Sequence, residues 1–171
     1  MLWRGSLIFA LMDAAFVPIL VWRIGKQAFR QYKWALFATT ATFWCSIWIW
    51  ALSNFWESVY RYVFPAWARY VIPPVYGLLF AGVGLAFWWL AKRLPGSPVA
   101  SFCLLGGLWG MITHLWAVHL GIAEKPPVLQ GVVPVAAVTV AVFEFMFYWC
   151  IILSFATLLH HGWQRLRKVS G

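Results

Sequence analysis

The sequence predicts an all-α integral membrane protein, a five-transmembrane-helix bundle forming a single domain over residues 1–171, with a short interfacial helix between the second and third spans. Three observations carry that prediction. Hydrophobic residues make up 64% of the chain and charged ones 10%, whereas soluble domains carry about 25% charged residues. Apolar runs of about 20 residues, the length needed to cross a bilayer, recur along the chain. Basic residues gather just beyond alternate ends of these runs, as positive-inside anchoring requires of a polytopic protein.

The first span covers about residues 6–22. Its opening, an arginine followed by an apolar run, imitates a secretory signal, but Asp13 interrupts the run and no small-x-small cleavage site follows. Arg23, Lys26, Arg30 and Lys33 form a basic loop before the second span, 34–53. The next stretch, 54–70, reads NFWESVYRYVFPAWARY. It is too polar for hydrocarbon and too aromatic for a free linker, which suits a short helix and turn lying in the interface. The third span covers 71–90, with Pro73 and Pro74 expected in its first turn, where backbone donors have no helical partners to lose. Lys92 and Arg93 end it, the turn LPGSP follows, and the fourth span is 99–119. A short loop leads to the fifth, 132–158, which is apolar throughout except for Glu144 near its centre.

Charge by side fixes the expected orientation. Arg23, Lys26, Arg30, Lys33, Lys92, Arg93, Arg165, Arg167 and Lys168 fall on one side, and only Arg4, Arg61, Arg69 and Lys125 on the other. The N-terminus is therefore expected outside and the C-terminus in the cytoplasm, in a plasma membrane of the bacterial inner-membrane kind. The net charge of +9 is explained by these anchors and does not call for a nucleic-acid partner. Cys45, Cys103 and Cys150 all fall inside spans, and no cysteine pair sits in a loop, so no disulfide framework is expected.

Ionisable residues inside the spans are the functional candidates, because a charge at mid-membrane is costly, roughly 2.5–3.5 kcal/mol by insertion estimates, and turns toward a partner, a wet cavity or a ligand. Glu144 is the deepest. Ala137, Ala141, Glu144 and Tyr148 share a stripe that is expected to face the bundle, with Val138, Val142, Phe145 and Ile152 on the other side. Asp13 and His114 are shallower, and together the three describe a polar path from the outer face to mid-membrane. The functional reading is a proton relay, a cation site or an acid/base pair; the bland one is an interhelical hydrogen-bond network.

Gly106, Gly110 and His114 recur every four residues, so the fourth span is expected to pack closely through its glycines with the imidazole on the same seam. His119 lies five residues from His114, about 140° around a helix, which defeats a two-histidine chelate on this element. His160 and His161 lie at the opposite face from His114, so a bis-histidine haem within the chain fails on depth. No metal and no cofactor is expected. Of the 14 tryptophans, Trp3, Trp22, Trp34, Trp56, Trp67, Trp88, Trp89 and Trp163 sit near span ends as interfacial belt residues. Trp44, Trp48, Trp109 and Trp149 sit deeper, and with Tyr148 they are candidates to line a ligand site.

These residues point to an aromatic-lined intramembrane site around Asp13, His114 and Glu144 for a lipophilic or cationic ligand, with acid/base isomerisation or cyclisation of an isoprenoid-like lipid as the best-fitting chemistry. One alternative is a non-catalytic accessory subunit of a larger membrane complex; another is a small proton- or ion-coupled transporter, which the lack of a clear repeat or interrupted helix disfavours. Expected partners are membrane lipids, a lipophilic small molecule and, under the first alternative, partner subunits. The topology is directly testable. Single cysteines introduced near Gln31 and Ser97 should be shielded from an impermeant external thiol reagent in intact cells, and those near Ser58 and Gln130 should be labelled; the reverse pattern would sink the five-span arrangement.

Overall fold

The computed structural model describes residues 33–52, 67–120 and 134–169. Among them every regular element is an α-helix. These are α1 (Lys33–Leu52), α2 (Ala68–Ala91), α3 (Pro98–His119) and α4 (Pro134–Val169). The first expected span (6–22) lies outside the described residues, as do the last residue of the second, 53, and the stretch 54–66 of the expected interfacial segment. Three stretches are long and apolar enough to cross a membrane: Tyr70–Ala91, Pro98–Trp116 and Ala141–Val169.

The helices form an antiparallel ring in which α1 packs on α2, α2 on α3, α3 on α4 and α4 back on α1. The direction can be read from residue pairs. Trp48 meets Tyr76 and Trp44 meets Phe80 between α1 and α2; Trp34 meets Trp163 while Phe43 meets Tyr148 between α1 and α4. The ring has an apolar exterior as well as an apolar core. Val75, Leu78 and Leu79 on α2 and Ile112 on α3 are all exposed, the pattern of helices whose outer faces meet lipid. Hydroxyls inside the helices bond back to their own helix, Thr40 to the Leu36 carbonyl, Ser154 to that of Cys150 and Thr157 to that of Leu153. This satisfies them without water.

With no hydrophobic force between helices in lipid, association rests on close packing, and small residues make that closeness available. The expected seam on α3 is present. Trp149 of α4 fills the space a side chain at Gly106 would take, Met146 lies against Gly107 and Phe145 against Gly110. Between α1 and α2 the corresponding contact is Gly77, whose Cβ position is 2.6 Å from the Ala41 carbonyl oxygen.

Several details depart from the sequence reading. α2 begins at Ala68, so Pro73 and Pro74 lie inside the helix, just past its first turn. The missing amide hydrogens then leave carbonyls unpaired only at the helix start, where the damage to the ladder is least. Trp88, expected in the interfacial belt, is 3% exposed and packs edge-on to Phe102, whereas its neighbour Trp89 is 56% exposed. α4 runs on past the expected end at 158 to Val169, because no proline follows Leu158, the single Gly162 costs only about 1 kcal/mol, and the terminal Arg167 and Lys168 favour its C-terminal dipole. The α2–α3 turn uses Gly96 at φ 92°, a left-handed conformation that glycine adopts without strain.

The seam on α3 makes a clear prediction. Gly106→Ala puts a methyl group into the Trp149 indole and should lower stability by about 1–3 kcal/mol, whereas Gly82→Ala, whose Cβ would meet nothing within 4 Å, should not lower it, because alanine favours a helix over glycine by about 0.5–1 kcal/mol. Thermal unfolding of the purified variants in one detergent compares the two.

Candidate functional site

The site is built on the middle of α4, where the helix turns a buried face and a polar flank toward α1 and α3. The buried face consists of Ala141, Phe145, Trp149, Ile152, Leu153 and Ala156. Glu144 and Tyr148 flank it, both partly buried. This corrects the expected stripe: Phe145 and Ile152, assigned to the outward side, are core residues, and Glu144 sits at the edge of the interface. The reason is the partner surface. Glycines at 106 and 110 of α3 open room for the bulkiest side chains, so size does not push a residue outward here.

Glu144 is the only carboxylate among the described residues. The Tyr148 hydroxyl, one turn along, donates to its Oε1 at 2.9 Å. That bond fixes the carboxyl against the tyrosine, and the tyrosine ring is itself held on three sides. Phe43 lies 5.9 Å away, Trp44 6.1 Å and Phe145 5.8 Å between ring centroids. A carboxylate thus emerges beside an aromatic wall contributed by α1 and α4.

Trp44 anchors that wall. It is buried, packs on Phe80 with centroids 4.3 Å apart and lies 6.2 Å from Trp149. Trp48 continues it one turn further along α1, 4.3 Å from Tyr76. Trp149 is fully buried and contacts Phe80, Phe87 and Phe102 as well as Trp44. The indole Nε1 atoms of both Trp44 and Trp149 are buried without a hydrogen-bond partner. An unsatisfied buried donor costs about 1–3 kcal/mol, a cost that the close ring packing around both indoles offsets.

His114 is buried, with its ring 6.0 Å from Phe145. Among the described residues, ring contacts lead from it toward Glu144, His114 to Phe145 to Tyr148. Asp13 lies outside the described residues, so the polar path expected from it to Glu144 has no structural description. Trp109 is 38% exposed on the outer side of α3, edge-on to Phe87; the structure does not bring it together with Trp44, Trp48 and Trp149. His119 is exposed at the end of α3. Among the described residues no group of three His, Cys, Asp or Glu side chains is disposed to hold a metal ion.

One pairing escaped the sequence reading. Cys103 of α3 and Cys150 of α4 are buried free thiols whose sulfurs lie 3.1 Å apart. They are separated by 47 positions, and the only available signal was that both lie inside apolar helices that could pack together.

Comparison with protein-family models, with curated proteins and with solved structures finds no match for this chain. The class that fold and composition support is a helical membrane protein.

The Tyr148–Glu144 bond has a measurable weight. Tyr148→Phe keeps the ring among Phe43, Trp44 and Phe145 while removing the hydroxyl, and should lower stability by about 1 kcal/mol. Denaturant unfolding in mixed micelles reads this, and an unaltered midpoint would mean the bond does not hold the carboxyl.

Proposed function

We propose that this protein binds a lipid-soluble cation within the membrane, with Glu144 as the counter-charge and Tyr148, Phe43 and Trp44 as the aromatic wall. The observation that carries this reading is the carboxyl fixed by the Tyr148 hydroxyl beside three packed rings. Aromatic faces attract cations through their quadrupoles, by about 2 kcal/mol or more when desolvated, and a carboxylate adds the full charge that a low-dielectric site magnifies.

The same parts suit proton-initiated isomerisation or cyclisation of an isoprenoid-like lipid. There the carboxyl exchanges the proton and the rings face the carbocation. In this reading His114 is a further acid/base group behind Phe145, and Asp13 an outer one. Positive-inside anchoring orients Lys33, Lys92, Arg93, Arg165, Arg167 and Lys168 toward the cytoplasm.

Tetraphenylphosphonium is a suitable probe, and its binding to purified protein can be followed by tryptophan quenching and checked by equilibrium dialysis. The native chain should bind it saturably. Glu144→Gln should weaken binding at least about tenfold, equivalent to ~1.4 kcal/mol, with little change in stability, and Glu144→Leu should abolish it. Undiminished binding by the Gln variant would remove Glu144 from the site. Co-purifying protein subunits with no saturable cation binding would assign the chain to an accessory role in a membrane complex.

A further inference from the structure

Where α1 and α4 part, they leave an open apolar groove of about 320 Å³, lined by Ala38, Thr39, Thr42 and Phe43 of α1 and Phe155 and Leu159 of α4. Its walls follow helical register. Trp34, Ala38 and Thr42 recur every four residues on α1, as do Phe155, Leu159 and Trp163 on α4, so each set forms a stripe along one face. One turn below the groove the stripes end in Trp34 and Trp163, whose rings meet edge-on with centroids 5.9 Å apart. The groove is therefore closed by an indole pair at the end of the bundle where the basic residues gather.

That end is strongly cationic. The Arg167 guanidinium lies 5.2 Å from the Trp163 ring, one turn beyond it, and Lys33 immediately precedes Trp34. Both basic side chains are exposed, Lys33 at the start of α1 and Arg167 in the last turn of α4. Indoles at this level occupy the position favoured at the boundary between hydrocarbon and headgroups. The apolar walls alone would take any acyl chain. Cations at the headgroup level select a negative one, at about 1 kcal/mol per Lys or Arg near a membrane surface.

We propose that this groove is a specific site for an anionic phospholipid, one acyl chain lying between α1 and α4 and the phosphate held by Lys33 and Arg167 beside the Trp34–Trp163 pair. The site is independent of cation binding at Glu144, and its readout is lipid retention. The deep end of the groove is Phe43, which also touches Tyr148, so the seated chain would reach the edge of the aromatic wall.

The test uses the full chain in nanodiscs of phosphatidylcholine doped with phosphatidylglycerol of identical acyl chains, followed by native mass spectrometry of the lipids retained. The native protein should keep phosphatidylglycerol in preference to phosphatidylcholine. Combined Lys33→Gln and Arg167→Gln substitution should reduce phosphatidylglycerol affinity at least about tenfold and leave phosphatidylcholine retention as it was. Filling the groove with Ala38→Leu and Thr42→Leu should lower retention of both lipids. Unchanged preference in the charge variant overturns the proposal. So does full lipid retention in the filled variant, and if that variant also loses thermal stability, the groove seats residues 6–22 or a second copy of the chain. Should the filled variant not fold, the charge variant decides alone, because its substitutions are on exposed side chains at helix ends.

Discussion

The burial of one indole ring, Trp149, is the constraint on which the rest of the described bundle depends. Its pyrrole edge occupies the space above Gly106 of α3, and its six-membered ring comes within 3.1 Å of the Cβ position of Gly84 on α2, beside the Thr40 side chain of α1. A single residue of α4 thus touches all three other helices. In lipid the helices gain nothing from hiding apolar surface from water, so this dense contact and the glycines that permit it supply the specificity of assembly. The ring achieves this with its N–H unsatisfied, which indicates that the packing gained outweighs a penalty of about 1–3 kcal/mol.

Placing Trp149 and Phe145 at the centre determines where the acid can go. Successive residues of a helix are about 100° apart, so Glu144 and Tyr148, each immediately preceding a core residue, are rotated to one flank of the buried face. The carboxyl then stands at the margin between α4 and α1, close to rings yet not sealed among them. A binding group needs that compromise, since a fully enclosed carboxyl would have no route for a ligand and a fully outward one would face hydrocarbon alone.

The general architecture was legible because length and apolarity suffice to mark a membrane span. The glycine seam was legible too, since Gly106, Gly110 and His114 follow one face at a spacing that needs no knowledge of the partner. What sequence could not supply was rotational phase. α1 and α3 are apolar nearly all round, so periodicity does not say which side turns inward. Trp88 and Trp89 illustrate it: adjacent, chemically identical and at the same depth, one is core and the other faces out. The same ambiguity misplaced Phe145 and Ile152, and it made Trp109 look equivalent to Trp149 although only the latter has a glycine opposite. Tyr148 was found by its spacing from Glu144, because an i,i+4 pair is a local relation that survives ignorance of the fold.

The two thiols at the α3–α4 seam give the molecule a built-in clock. Cys103 and Cys150 are both buried, their sulfurs facing each other across the interface that the glycines hold shut. A small, membrane-permeant alkylating agent can reach them only while that seam is parted, so the rate of their modification counts openings of the bundle. Cys45, partly exposed on α1 and away from the α3–α4 seam, does not depend on that opening and serves as the internal standard. The unaltered chain therefore carries both the timer and its reference, and breathing of the α3–α4 interface can be measured without attaching a label.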